Sequence, residues 1–222
     1  MSRVVVVALA SLIVAGCGGD DAAVEAARAR ARQARDLADQ AGLPRDVGEF
    51  LAVAAHAPAA SFTVEYALEN DGRALLVQRP PRRRVEITSG ESTQAAIVNG
   101  DGSFSCVKQG NQWRCDERAT TSTPTAFALG DIRRTTDDLR KAKTAYDFIV
   151  EPREVAGTGA RCLVTVLKPG LPEDPARGAR GVLCIADAGV PLLAEGGRNQ
   201  FRATRYWTSV ADDAFDLPAE PR

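Results

Sequence analysis

The sequence predicts an α+β domain, mainly β with helices, and three observations carry that prediction. From residue 61 onward, short runs of alternating apolar and polar residues are broken by Pro, Gly, Asn and Asp. The breaks over residues 61–116 leave no room for crossover helices, so successive strands are expected to pair as an antiparallel meander. Before residue 61, and again over residues 128–142, the pattern changes to that of a helix.

The chain opens on Met1-Ser2-Arg3, followed by an uncharged run over residues 4–16 and then Cys17-Gly18-Gly19-Asp20-Asp21. A single early positive charge before an apolar run has the shape of a signal peptide, and the run is shorter than the roughly 20 residues a membrane span needs. Val14-Ala15-Gly16-Cys17 looks like a lipobox, in which small residues admit the peptidase and the cysteine sulfur takes a diacylglyceryl group. Residues 1–16 are therefore expected to be removed and Cys17 to anchor the chain on the extracytoplasmic face of a bacterial membrane, the plasma membrane in the first instance. Several acyl chains hold where one is marginal.

Residues 17–42 read as the lipidated tether and a helical stalk: acidic residues open the helix, Ala and Arg fill it, and Gly42-Leu43-Pro44 stops it. Its apolar stripe, Val24, Ala27, Ala31, Ala34, Ala38 and Ala41, offers little to bury, so a solvated stalk is expected. Residues 43–222 are one domain's worth of chain. Within them Val47, Phe50, Leu51 and Ala54 fall at helical spacing over residues 45–56, which predicts a helix that packs. His56 ends that helix with no serine or cysteine motif beside it.

Phe62, Val64, Tyr66 and Leu68 alternate with polar residues as a half-buried strand ending at Asn70-Asp71-Gly72. Short runs at 74–78, 84–88, 94–99, 103–108 and 113–116 continue the sheet. Residues 120–124 read as a loop and 128–142 as a polar helix, and runs at 146–150, 162–167, 182–186, 190–194 and 201–209 resume the strands. Phe215 and Leu217, set in the acidic frame of residues 212–218, are expected to dock on the body.

Beyond Cys17 there are four cysteines, and an exported chain makes disulfides their default. Gly110-Asn111 suits a two-residue type II′ hairpin. Counting outward makes Cys106 and Cys115 a directly opposed pair at about 4.5 Å, inside disulfide range. Cys162 and Cys184 sit on two apolar strand-like runs and form the second expected bridge. A four-thiolate zinc site is the alternative, disfavoured by the absence of C-x-x-C spacing.

Net charge is −1, with 28 basic against 29 acidic residues, so bulk charge predicts no nucleic-acid partner. No G-x-S-x-G, P-loop or histidine pair occurs, and an enzyme is not expected. Neither a cofactor nor a metal is implied.

A lipidated chain with an opening helix, an up-and-down meander, a helix inserted midway and a closing tail resembles the LolA-like lipoprotein-carrier superfamily, including its LprG and LppX type. The phrases Thr63-Val64-Glu65-Tyr66, Gln78-Arg79-Pro80-Pro81, Val98-Asn99-Gly100-Asp101-Gly102 and Cys184-Ile185-Ala186-Asp187-Ala188-Gly189-Val190-Pro191-Leu192 carry the resemblance, over about residues 43–218. It implies an incomplete antiparallel β-barrel whose apolar concave face is covered by a few helices, and it implies a lipid or acyl-chain ligand held there. Regulatory members of the RseB type imply the alternative, an envelope sensor that binds a protein partner. Candidate cavity residues are Phe62, Val64, Tyr66, Val85, Ile87, Phe104 and Trp113, each equally readable as core, since pockets for apolar ligands and cores share a chemistry. Arg82, Arg83 and Arg84 are candidate contacts to an anionic headgroup, because guanidinium forks match phosphate.

Overall fold

Alternation along the strands and the shortness of the turns set the architecture. A computed structural model of the chain describes residues 19–117, 131–173, 178–196 and 200–221. Helix α1 is Gly19–Gln40 and α2 Arg45–Ala54, followed by a 3-10 turn, Ala57–Ala59. Six strands follow: β1 Phe62–Leu68, β2 Arg73–Arg79, β3 Arg82–Ser89, β4 Ser92–Val98, β5 Ser103–Gln109 and β6 Gln112–Glu117. Helix α3, Ile132–Ala142, leads to β7 Tyr146–Val155, β8 Thr158–Leu167, β9 Arg180–Ala186, β10 Pro191–Glu195 and β11 Phe201–Trp207, and a 3-10 turn, Asp212–Phe215, lies in the closing tail.

All eleven strands form one open antiparallel sheet in the order β6-β5-β4-β3-β2-β1-β11-β10-β9-β8-β7. The chain runs outward from the middle to the β6 edge, crosses to the β7 edge, and returns so that β11 pairs with β1, Thr63 opposite Trp207. Four strand spacings of about 4.8 Å would hold a flat β7 some 19 Å from β11. Cα atoms of the two strands instead come within 8 Å, so this half of the sheet curls strongly.

The main core lies between the two halves of the sheet. Phe62, Val64 and Tyr66 of β1, Leu76 of β2 and Val85 of β3 meet Cys162, Val164, Val182, Cys184, Leu192 and Phe201 in one buried cluster. On the other face of β8 and β9, Leu163 and Ile185 pack beneath α2, whose Val47, Phe50 and Leu51 are fully buried. Burial on both faces explains why these two strands read as nearly continuous apolar runs while β1 alternates. Gln78, a buried amide, donates to the carbonyls of Ala57 and Ala60 at 2.6 and 2.9 Å and fastens β2 to the turn after α2.

The solvated-stalk expectation fails for the second half of α1. Ala31, Ala34, Ala38 and Ala41 are 0–7 % exposed against α2. The weak stripe works because it is small: a Cβ built on Gly48 would lie only 3.4 Å from the Ala38 Cβ, so the two helices approach closely where large side chains would hold them apart. Arg35 adds a two-pronged ion pair to Glu49, at 2.9 Å on each oxygen. Gly42, at φ 63°, ends the helix with Leu43 N–H donating to the Ala38 carbonyl, and Lys143, just after α3, donates to the Ala41 carbonyl. Residues 24–30 remain largely exposed.

Both expected disulfides are present, Cys106–Cys115 with Cα atoms 4.1 Å apart and Cys162–Cys184 at 3.9 Å, each joining directly opposed strand residues. Gly110 has φ 57°, as the type II′ turn requires. The four-thiolate zinc alternative falls, since these sulfurs are consumed in bridges. Cys17 and the loop at 120–124 lie outside the described residues, as do residues 128–130 of the expected middle helix.

Closing a loop in the unfolded chain is what a disulfide chiefly prevents having to be done again on folding. Replacing Cys162 and Cys184 together by Ala is expected to cost about 3 kcal/mol for their 22-residue separation. The Cys106/Cys115 double variant, with a separation of nine, should lose less. Urea denaturation of both variants measures the difference.

Candidate functional site

Register through the short turns decides which side chains share a face. Val64 opposes Leu76, Leu76 opposes Val85 and Val85 opposes Ala96, while Ala74 opposes Ile87. Phe62, Val64, Tyr66, Val85 and Ile87 thus share the face that enters the main core. Ala96 opposes Ser105, so Phe104 points the other way, with Ile97, Cys106, Cys115 and Trp113. The seven expected cavity residues are therefore not one lining: five belong to the main core, and Phe104 and Trp113 belong to a second cluster on the opposite face. Counting parity through Gly90-Glu91 and residues 99–102 is the signal that would have separated them.

Four of the five are buried and Ile87 is half-buried against them. Val64 and Tyr66 are 0 and 1 % exposed, and Tyr66 donates to the Pro191 carbonyl at 2.7 Å while its ring meets Phe201 edge-on at 5.2 Å. Desolvation pushes the Tyr66 hydroxyl far above its usual range, so it stays protonated and a donor. Two depressions at the surface carry several charged side chains, and a third, between β1 and β10–β11, is lined by Leu68, Leu193 and Phe201 beside Glu69, Glu195 and Arg202. One of about 560 Å³, between α2 and β7–β8, is lined by Asp46, Glu49, Glu151, Arg153, Arg161 and Asp187 among others. Another, of about 710 Å³ on the outer side of β1–β3, includes Glu65, Arg73, Glu86 and Arg205.

The arginine cluster splits as well. Arg83 shares the core-facing side with Val85, and desolvation lowers the pKa of its guanidinium. Arg82 and Arg84 lie on the opposite side, where the closing tail crosses the sheet. The Arg82 guanidinium sits 4.7 Å from the centroid of the Phe215 ring, a cation–π contact. Arg84 pairs with Glu86 at 2.5 Å and reaches the carbonyls of Ala214 and Asp216 at 3.4 Å each. Arg79, the neighbour across the β2–β3 turn, pairs with Asp212 at 2.8 Å and donates to the Val210 carbonyl.

Tail and second cluster form one feature. Phe215 is 2 % exposed, Leu217 and Ala219 pack on the cluster of Ala95, Ile97, Phe104 and the Cys106–Cys115 disulfide, and Pro221 bridges in parallel to Cys115 on the β6 edge. The expected docking of Phe215 and Leu217 is thus seen. The two expected headgroup contacts on this face, Arg82 and Arg84, are engaged by the chain itself.

Among the described residues no group of three or more His, Cys, Asp or Glu is gathered as a metal site would need, and no helix is long and apolar enough to cross a membrane. The fold and these surfaces define the class only as an open antiparallel sheet with helices on part of it. No protein-family model matches the chain, and no curated protein matches it.

Hydrogen bonding from Arg79 holds the Asp212 carboxyl below its ordinary value of 3.8, so this pair's small contribution to seating the tail is complete above that pH and is lost as pH falls through the lowered value. Trp113 fluorescence, read in a Trp207→Phe background, is expected to report loosening only below pH 3.8. In Asp212→Asn the acid step should be missing and the tail already looser at neutral pH.

Proposed function

We propose that the chain is a non-catalytic lipoprotein of the bacterial cell envelope, anchored through Cys17 on the outer face of the plasma membrane, that works by binding a protein partner. In this reading residues 1–16 are a removed signal peptide, and the sheet is an incomplete β-barrel of the LolA-like kind, with the exposed first part of α1 as a short stalk. The observation that carries the partner-binding choice is close packing of the interior among the described residues: Val64, Val190, Leu192, Cys162 and Cys184 are all 0 % exposed. Space occupied by side chains is not space for an acyl chain, whose affinity would come from burying methylenes at about 0.8 kcal/mol each. Binding then falls to the surface.

The second reading, a lipid carrier, is favoured by one specific observation: α2 covers an apolar sheet face, with Leu163 and Ile185 buried beneath it, and α1 rests on α2 through small alanine contacts and the exposed Arg35–Glu49 pair. Separating that layer would uncover an acyl-sized apolar surface without breaking the sheet.

Mass spectrometry of organic extracts from the purified domain decides between the two. No stoichiometric lipid is expected, whereas crosslinking in intact envelopes should capture a protein through one face. A lipid recovered at about one per chain in repeated preparations would transfer the assignment to the carrier reading. Replacing Cys17 by Ser should abolish acyl labelling and release the domain into the aqueous phase of a detergent partition; unchanged partition would remove the anchor.

A further inference from the structure

The tail occupies its side of the sheet in the manner of a bound peptide. One aromatic side chain, Phe215, is fully seated, while Asp212, Asp213 and Asp216 on either side of it are exposed. Few side chains anchor it, as in a peptide whose affinity is concentrated in a hot spot. Its backbone is read directly: Arg79 donates to the Val210 carbonyl, Arg84 reaches two further carbonyls, and Pro221 lies along the β6 edge opposite Cys115. Strand edges and carbonyl-directed donors recognise extended chains of any origin.

What lies beneath is a complete receiving surface. Ala95, Ile97, Phe104, Trp113 and the Cys106–Cys115 bridge make an apolar floor on the face turned away from the main core, flanked by Arg79, Arg82 and Arg84. None of these residues is needed to close the main core. The floor and its basic flank belong to β2–β6 and not to the tail.

We propose that this face is a peptide-binding groove, that residues 210–221 are its resident and displaceable occupant, and that its partner ligand is an extended acidic segment with an aromatic residue two positions before a leucine, as in Phe215-Asp216-Leu217. The proposal rests on the partner-binding reading above and gives it a location and a ligand chemistry. A tethered occupant competes at an effective concentration of order mM. An external segment therefore binds the resting chain weakly and gains when the tail is loosened.

The test uses the full chain, a Phe215→Ser/Leu217→Ser variant of it, and a labelled synthetic peptide with the sequence of residues 210–221. The variant is expected to bind the peptide at least about tenfold more tightly than the unaltered chain, from the mM scale of the tethered competitor. The same peptide carrying the two serines should not bind. If the folded variant binds neither better than the unaltered chain, the proposal is overturned. Binding of the variant to phosphatidylglycerol vesicles with no binding of the peptide overturns it in favour of a lipid surface.

Should the variant not fold, the unaltered chain still decides. Added peptide at mM concentration is expected to speed hydrogen exchange at residues 214–217, and exchange there that stays unchanged would overturn the groove. If the peptide is silent while the envelope crosslinks map to another face, partner binding stands and this groove does not.

Discussion

The pairing of β1 with β11 is the constraint on which the rest of the domain depends. Without it the chain is two separate meanders, β1–β6 and β7–β11, each with an apolar face and two open edges. Joined, they bring Val64, Tyr66 and Leu76 onto Cys162, Cys184 and Leu192, and the main core exists only at that meeting. The register slips by one residue between Glu65 and Tyr66, a bulge of the kind that bends a strand and raises its twist. Curling of the β7–β11 half toward β11 follows the same need to cover apolar surface.

Nearly every element was legible in the sequence, because each strand is bounded by its own turn chemistry and most of those turns are short. Asn70, Asp71, Gly110 and Gly189 adopt the positive φ that their residue types suit. The Cys106–Cys115 pair was legible for the same reason, as a consequence of a two-residue turn. What alternation along one strand does not convey is how faces carry from strand to strand. Phe104 and Trp113 have the same local signature as Phe62 and Val64, yet parity through the turns sets them on the other side. The helix stripe of Ala31, Ala34, Ala38 and Ala41 was discounted by hydrophobicity, whereas its value lies in close approach to Gly48, a property of two segments together.

The candidate site was less legible than the fold. Arg82, Arg83 and Arg84 were visible as a charge run, but a charge run does not name its counterpart. Two of the three turn out to serve a segment more than a hundred residues away, and the alternation of the strand sends Arg83 inward, beside Tyr66. Long-range contacts between an exposed run and an acidic tail leave no local periodicity from which to read them. The same is true of the closely packed interior, since a core and a cavity differ in volume and not in composition.

The central position of the β1–β11 pair has a consequence for how the chain comes to its structure. Within β1–β6 every pairing joins neighbours in sequence, so those contacts form locally and early, while the β1–β11 seam waits for residues 201–207. Until that final strand arrives, the partly built sheet carries two unsatisfied central edges, at β1 and at β10, which are the kind that pair with other molecules. Where the seam falls in the sequence therefore sets how long those two edges stay open.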